Sequence, residues 1–202
     1  GISAENATHV ADVLTQTANA GTIGIGDLGE SFKYIGPSAA AAGFSFEDVN
    51  TALLGMSKSG IKASQAGTSL RGLFVNLVKP TEAMQTAMDE LGIEITNSDG
   101  TFKSLDDILA QLRSSMSGMT DEQKAYYSSI LAGKTGVSGL MSLLNMSQDE
   151  YDELAASIDN CGGTADETAS IMQDNLKNDV EQLTGSLEAM AITLMKNLEP
   201  FL

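Results

Sequence analysis

The sequence is poor in the residues on which most enzyme chemistry depends. Its 202 residues include one histidine, one cysteine and no tryptophan. A single imidazole cannot build a multi-histidine metal site or a relay between two histidines, and a single thiol cannot form an intrachain disulfide. The sequence therefore predicts no catalytic residues, no metal ligands and no enzymatic activity.

Long apolar runs and positive charges are also scarce. No stretch reaches the roughly 18 apolar residues of a membrane-spanning helix, and the N-terminus lacks a basic-then-apolar signal pattern. With 11 Lys and Arg against 27 Asp and Glu, the formal net charge is -16, which repels phosphate and argues against specific nucleic-acid binding. The chain begins at Gly1 without an initiator methionine, which predicts a piece of a longer protein.

What the sequence does contain is a recurring helix-start signal, a Ser or Thr followed three residues later by an acid or Gln. The hydroxyl can accept a hydrogen bond from a free backbone N–H of the first helical turn. These residues are Ser45, Ser104, Thr120, Ser147 and Thr164. Gly60 and Gly92 follow apolar periodic stretches, as left-handed C-terminal residues do. The signals predict an all-α multi-helix bundle.

The expected helices lie between these signals, with boundaries uncertain by about two to four residues. They span residues 4–20, 28–41, 46–59, 63–78, 81–91, 105–117, 121–132, 136–145, 148–159 and 164–198. One segment departs from the helical pattern, because residues 93–102 form two short alternating runs around an Asp-Gly turn. Such a pattern is typical of a hairpin. The expected fold is all-α with one short β-hairpin near 93–103 and a long C-terminal helix.

The last 40 residues carry an apolar stripe on one face of a single helix of about 35 residues. The stripe consists of Met172, Leu176, Val180, Leu183, Leu187, Met190, Leu194 and Leu198. Because its spacing is not a strict heptad, two interpretations stay open, a helix packed back on the core and a coiled-coil arm. We expect a helical core region over residues 1–160 and a long amphipathic helix over 161–202, through which the chain could self-associate.

Residues 51–80 form the one basic stretch of this acidic chain. They hold four Lys or Arg and no acid, so the stretch carries +4 and the remainder -20. Small residues at 66 and 67 would let a partner backbone approach, and an arginine offers a rigid fork of donors. The predicted partner-contact residues are Lys62, Gln65, Gly67, Arg71 and Lys79. The alternative is pairing of these cations with acids of the same chain.

Two motifs resemble nucleotide-binding loops, but their context argues against both. Residues 24–29 match G-x-G-x-x-G without the preceding strand that this fingerprint requires. Residues 128–135 resemble a phosphate loop, yet a helix there would use the N–H groups that must face the phosphates. We therefore expect no cofactor.

Three segments, in order and with their spacing, resemble the phage tail tape measure protein family in its minor-tail core region. They are Ala-Asp-Val-Leu at 11–14, Phe-Lys-Tyr-Ile-Gly-Pro-Ser-Ala-Ala-Ala-Ala-Gly at 32–43 and Gly-Ile-Lys-Ala-Ser-Gln-Ala-Gly-Thr-Ser-Leu-Arg at 60–71. Leu-Gly-Ile at 91–93, Asp-Gly at 99–100 and Leu-Asp-Asp-Ile-Leu at 105–109 follow in the family's order. The resemblance covers about residues 10–145 and departs from the family at 131–133, where the family looks more like Phe-Gly.

The resemblance implies a structural protein of phages or prophages. Members of the family run as helices inside the tail tube, tube subunits polymerise around them, and they leave before DNA passes into the host. The implied role is tail length determination and scaffolding of tail assembly, with release during DNA ejection. The implied partners are tail tube and tail assembly proteins. The implied location is the lumen of the phage tail, after synthesis in the bacterial host cytoplasm.

Two alternatives to this role remain. Apolar residues near 39–46 and 189–195 would suit a membrane-active module that helps DNA cross the host envelope. Some members of the family carry a cell-wall hydrolase in other domains, but this sequence offers no residues for that chemistry. The structural role is the leading prediction.

Overall fold

The structure, a computed structural model, describes residues 6–198, with side chains as far as residue 190. Nine α-helices follow one another in this part of the chain and confirm the all-α prediction. They are α1 (Ala7–Ala20), α2 (Ile25–Ala42), α3 (Phe46–Lys58), α4 (Ala63–Val78), α5 (Glu82–Leu91), α6 (Leu105–Met116), α7 (Asp121–Leu144), α8 (Gln148–Asp159) and α9 (Thr164–Leu198). Residues 4 and 5, included in the first predicted helix, lie outside the described chain.

Four helices begin at the predicted capping residues. In each, the side-chain hydroxyl accepts a hydrogen bond from the backbone N–H three residues later. These caps are Ser45, Ser104, Thr120 and Ser147. Gly60 and Gly92 have positive φ angles of 80° and 65°, as predicted for residues at helix C-termini. Thr164 differs from the other four because it is itself the first residue of α9.

The β-hairpin predicted at 93–103 is wrong. The described chain contains no β-strand, and only one isolated antiparallel bridge forms here, between Thr96 and Phe102. The backbone of Glu94 bonds instead to the carboxamide of Gln111 on α6, donating to Oε1 at 3.0 Å and accepting from Nε2 at 3.1 Å. An isolated two-stranded ladder is marginal in water. Backbone hydrogen bonds from Asn97 to Thr101 and from Lys103 to Ile95 flank the bridge, but the pairing is too short to form strands.

Helix α4 lies between α2 and α7 and approaches both through small residues. A Cβ atom at Gly67 would lie 3.2 Å from Cα of Ser31 on α2, and one at Gly72 would lie 2.8 Å from the carbonyl oxygen of Ala132 on α7. The Ser31 hydroxyl also donates to the carbonyl of Ala63 at 2.8 Å. Because cores are close-packed, larger side chains at these glycines would force the helices apart.

Helix α7 is kinked at Gly133, whose φ of 70° and ψ of 169° are not helical. This backbone conformation is essentially restricted to glycine. The carbonyl of Leu131, beside the kink, accepts a hydrogen bond of 2.9 Å from Nδ2 of Asn76 on α4. The sequence predicts two helices here, over 121–132 and 136–145, and the non-helical backbone at Gly133 interrupts α7 at the predicted point.

Helix α3 contributes to two apolar clusters. The main core runs from α2 to α8 and includes Phe44 and Phe74, whose ring centroids are 4.7 Å apart. A smaller cluster joins α1, α3 and α8. Its buried members are Val13, Leu54, Leu154, Ile158 and Cys161. Burial raises the pKa of the Cys161 thiol, so this side chain behaves as a small apolar group.

The chain divides into two units, with the boundary between Gly162 and Gly163. We call residues 6–162 the helical body and α9 the terminal helix. The terminal helix is a single element of 35 residues, about 50 Å long at 1.5 Å per residue. Among residues 163–198, α9 is the one described element of this unit.

Candidate functional site

His9, the one imidazole, contacts a carboxylate at the surface of the helical body. Its Nε2 lies 2.6 Å from Oε1 of Glu47, and the pair joins the first turns of α1 and α3. Burial acts to raise the pKa of Glu47, but hydrogen bonds from His9 and Ser45 outweigh it and lower that pKa. The Ser45 hydroxyl caps α3 by accepting from the backbone N–H of Asp48. Among the described residues the imidazole bonds to this carboxylate and to no hydroxyl.

The two motifs that resemble nucleotide-binding loops lie in helical surroundings, and the described residues bring no metal ligands together. Among residues 6–198, no group of three or more His, Cys, Asp and Glu side chains is placed to hold a metal ion. Residues 24–29 lie at the start of α2 and follow a helix instead of a strand. Residues 128–135 lie within α7. The residues before the kink at Gly133 are helical, and their N–H groups are used within the helix.

The predicted partner-contact residues fall on two different faces of α4. Lys62, Gln65, Arg71 and Lys79 are exposed. Gly67 is buried against α2, where it makes the close approach to Ser31 described above. Four of the five residues are therefore exposed, with Lys62 and Lys79 at the two caps of α4, and the fifth lies inside the fold.

The exposed face of α4 combines positive charge with apolar surface. Lys62, Arg71 and Lys79 form no ion pair within 4 Å with any described residue. The ion pairs of that part of the chain are His9–Glu47, Lys33–Glu30 and Lys103–Glu94. Val75 and Val78 lie on the same helix and are 48% and 40% exposed. A partner surface that is acidic and partly apolar would match this face.

The apolar stripe of the terminal helix is open to solvent. Its side chains from Met172 to Met190 are between 54% and 70% exposed. The side chains of Leu194 and Leu198, which continue the stripe in the sequence, lie outside the described ones. Contiguous exposed apolar surface of this kind marks interaction sites.

An apolar groove that sequence reasoning missed lies between α1, α2 and the start of α3. Its volume is about 550 Å³. One wall holds Phe32 and Phe46, whose ring centroids are 4.9 Å apart. Gly29 and Gly36 line the groove two turns apart on α2, and a Cβ atom at either would meet nothing within 4 Å.

Arg113, on α6, contacts both α7 and α8 where these two helices meet. Its Nε donates to the carbonyl of Leu143 at 3.1 Å and its Nη1 donates to Oε1 of Gln148 at 2.7 Å. The guanidinium carbon lies 4.5 Å from the ring centroid of Tyr151. Burial lowers the pKa of Arg113 and raises the pKa of Tyr151. These contacts fix α8 against α6.

The first of the two apolar segments that suggested a membrane-active module belongs to the core. Ala39, Ala42 and Phe44 are buried, and Phe44 packs against Phe74. In the second segment, the side chains of residues 191–195 lie outside the described ones. Within residues 6–198 no helix has the length and apolar character needed to span a bilayer.

Known proteins similar to this chain come from phages. The family described as "Phage-related minor tail protein" matches residues 1–133. The "Tape measure protein" of Pneumococcus phage Dp-1 is 37% identical over 202 residues, which is 100% of this chain and 18% of that protein. The "Probable tape measure protein" of Escherichia phage P2 is 26% identical over 201 residues, 98% of this chain and 25% of that protein. No solved structure shows significant similarity to the chain.

These matches extend over both units of the chain. The Dp-1 alignment covers every residue, so it includes the basic face of α4 and the terminal helix. The chain spans only a quarter or less of the length of these two relatives. The surfaces described above therefore correspond to one stretch of a much longer polypeptide in each relative.

Proposed function

Because this chain belongs to the phage-related minor tail protein family, we propose that it is a structural segment of a phage tail tape measure protein. The observation that carries the proposal is the 37% identity to the Dp-1 tape measure protein over all 202 residues. The helical content supports it, because a helix rises about 1.5 Å per residue and converts chain length directly into distance. The proposal assigns no catalytic step to the segment.

In this proposal the full-length protein sets tail length and scaffolds tail assembly inside the lumen of the tail. Tail tube and tail assembly proteins are its partners, and it leaves before DNA is ejected. Residues 1–160 act as a helical core region and residues 161–202 as an amphipathic helix through which copies self-associate. The protein is made in the cytoplasm of the bacterial host.

The exposed face of α4 is the proposed contact for an assembly partner. Lys62, Gln65, Arg71 and Lys79 present donors that would meet carboxylates or carbonyls, and none of the three cations is engaged in an ion pair with a described residue. Gly67 is left out of this surface because it packs on α2. The contact should weaken with salt, since exposed charges are screened.

The test is a length experiment in the phage genome that encodes the chain. Deleting residues 165–197 in frame removes 33 helical residues and should shorten the tail by about 50 Å, measured by electron microscopy of many tails. Duplicating the same residues should lengthen it by a similar amount. The control variant Asn178→Ala changes no length and should give tails of normal length.

Tails of normal length and number from both the deletion and the duplication would contradict the proposal. Loss of tails in both variants, with normal tails in the control, would still assign the segment to tail assembly. It would remove the length-setting part of the role.

A further inference from the structure

We infer that the exposed face of α4 is a docking site for an acidic amphipathic helix of another protein. The inference rests on the proposed assembly contact and specifies the chemistry of the partner and how it lies on α4. Five exposed residues of the helix form what we call the α4 stripe. They are Ser64, Thr68, Arg71, Val75 and Val78.

The α4 stripe has the spacing of a helix–helix contact. Its residues are four, three, four and three positions apart, which is the heptad spacing that keeps one face of a helix against a partner helix. The stripe is about 21 Å long. At about 100° per residue, Gly67 and Gly72 lie on either side of it, where they approach α2 and α7. A partner helix can therefore lie along α4 between these two neighbours.

Positive charge extends over the whole length of α4. Arg71 lies in the middle of the α4 stripe, and Lys62 and Lys79 are the N-cap and C-cap residues of the helix. None of the three forms an ion pair within 4 Å with a residue that the structure describes. Residues 51–80 contain no acid, so this stretch supplies no counter-charge of its own. A partner with carboxylates would supply it.

The C-terminal half of the α4 stripe is apolar and continues into a groove. Val75 and Val78 are 48% and 40% exposed. Val78 also lines a groove of about 640 Å³, together with Met88 of α5, Phe102 and residues 93–98. An apolar side chain of the partner fits such a groove, and buried apolar anchors supply much of the affinity of helix contacts. The partner helix is therefore amphipathic as well as acidic.

The N-terminal half of the α4 stripe is lined by small side chains. The Thr68 hydroxyl donates to the carbonyl of Ser64 at 2.8 Å, so this donor is already used within α4 and needs no polar partner. Small residues on one helix leave room for larger side chains on the other. Apolar side chains of the partner can therefore pack over this half too.

The acids of the partner have a preferred position along the α4 stripe. Asp89 and Glu94 line the groove at the C-terminal end, where a further carboxylate would be repelled. Arg71 and Lys62 lie toward the other end of α4. We therefore expect the acids of the partner opposite these two cations, and its apolar anchor in the groove.

An acidic protein helix fits this face better than a nucleic acid or a second copy does. The chain outside residues 51–80 carries -20 and repels phosphate, and phosphate gains nothing from exposed valines. In a second copy, the described helical body offers three other large exposed apolar residues, which form no stripe on one helix. They are Ile25 and Tyr34 on α2 and Tyr126 on α7.

The main test measures binding of two synthetic helical peptides to the full 202-residue chain by fluorescence anisotropy. Both peptides have about 18 residues, enough to cover the α4 stripe, with leucine at heptad positions a and d. One carries glutamate at the flanking positions and the other carries lysine. We expect the glutamate peptide to bind about tenfold more tightly, and to bind less tightly as salt is raised.

Charge variants locate the binding of the glutamate peptide. Arg71→Glu should weaken it by about tenfold, and Lys62→Glu combined with Arg71→Glu should make the chain prefer the lysine peptide. The matched control is Lys58→Glu, which makes the same charge change in the same basic stretch but lies on α3. It should keep the wild-type preference. Circular dichroism checks that all variants stay helical.

A second pair of variants tests the apolar half. Val78→Ser should weaken binding of the glutamate peptide by about threefold to tenfold, because this side chain belongs both to the α4 stripe and to the groove. Ile25→Ser removes an apolar side chain that is 51% exposed on α2 and should leave binding unchanged.

Four results would overturn the inference. The wild-type chain could bind neither peptide or both equally, or Lys58→Glu could weaken binding as much as Arg71→Glu does. Displacement of the glutamate peptide by duplex DNA would assign the face to a nucleic acid. Self-association of the wild-type chain that is lost in Arg71→Glu would assign the face to a second copy.

The peptide test and the tail-length experiment fail independently. The length experiment alters only the terminal helix, whereas peptide binding requires no tail. A chain that binds neither peptide, in a phage whose tail shortens with the deletion, would refute the docking site and leave the tail role. Specific binding of the glutamate peptide by a chain whose deletion and duplication leave tails normal would do the reverse.

Discussion

The helical body and the terminal helix use apolar residues at helical spacing for opposite purposes. In the body, the apolar faces of eight described helices meet one another, and glycines bring α4 to within van der Waals distance of α2 and α7. In the terminal helix, the stripe from Met172 to Met190 stays exposed. An amphipathic sequence pattern therefore determines which side of a helix is apolar. Whether that side is buried within the same chain depends on how many other helices pack beside it.

The largest contrast should come from removing one apolar side chain in each region. Phe74→Ala empties a fully buried site that contacts Phe44, and we expect it to lower the free energy of unfolding by about 3–5 kcal/mol. Leu183→Ala in the terminal helix should change it by no more than about 0.5 kcal/mol. Urea unfolding at concentrations where the chain is monomeric measures both. Equal losses of unfolding free energy in the two variants would contradict the predicted difference between the two regions.

Replacing a glycine by alanine should have opposite signs in the two regions. Gly133→Ala forces a Cβ onto a backbone with φ of 70° and ψ of 169°, at an expected loss of about 1–3 kcal/mol. Gly185→Ala lies in a regular helix with open space around it and should add about 0.5–1 kcal/mol of helix stability. Thermal unfolding followed at 222 nm compares them. A Gly133→Ala variant that is more stable than the wild type would contradict the expected strain at the kink.

The helix starts of the two regions should respond differently to loss of a hydroxyl. Ser147 caps α8 in a reciprocal capping box with Glu150, so Ser147→Ala should lower stability by about 1 kcal/mol. Thr164→Ala, at the first residue of α9, should change the free energy of unfolding by only a few tenths of a kcal/mol. Chemical denaturation resolves the two values. A loss at Thr164 as large as that at Ser147 would show that it caps its helix after all.

The smallest expected effect is a pH dependence confined to the helical body. Burial raises the pKa of the Asp48 carboxyl, so the folded state binds a proton more readily than the unfolded chain. The contribution of this carboxyl to the stability of the folded chain should then fall as pH rises from the unfolded pKa through the folded one. Asp48→Asn removes this dependence and should be more stable at neutral pH by roughly a few tenths of a kcal/mol after solvent screening.

Urea titrations from pH 3 to 8 compare Asp48→Asn with wild type, using Glu188→Gln of the terminal helix as the control substitution. A wild-type chain that gains stability relative to Asp48→Asn as pH rises would reverse the expected sign.

Much of the fold follows from local chemistry. A hydroxyl three residues before an acid or Gln fixes a helix start through one hydrogen bond, so Ser45, Ser104, Thr120 and Ser147 could be identified as caps from the sequence. The absence of a hairpin could not be predicted from the local sequence. The backbone of Glu94 bonds to the carboxamide of Gln111 on α6, which is distant in the sequence.

Some of the candidate surfaces could be predicted from the sequence, and others could not. The exposed cations of α4 and the stripe of the terminal helix follow from charge and periodicity. Gly67 was assigned to a partner contact because a small residue permits close approach, but the sequence does not say which backbone approaches, and in the fold it is that of Ser31. The groove beside Phe32 and Phe46 depends on three segments meeting, which no local pattern encodes.

The contact between Gln111 and Glu94 has a consequence for behaviour at high concentration. An extended segment with free backbone groups is a template on which other chains can add and aggregate. By occupying both backbone groups of Glu94, the carboxamide shortens the free edge of this extended segment. Copies crowded together during particle assembly would then be less prone to amyloid-like stacking at this position.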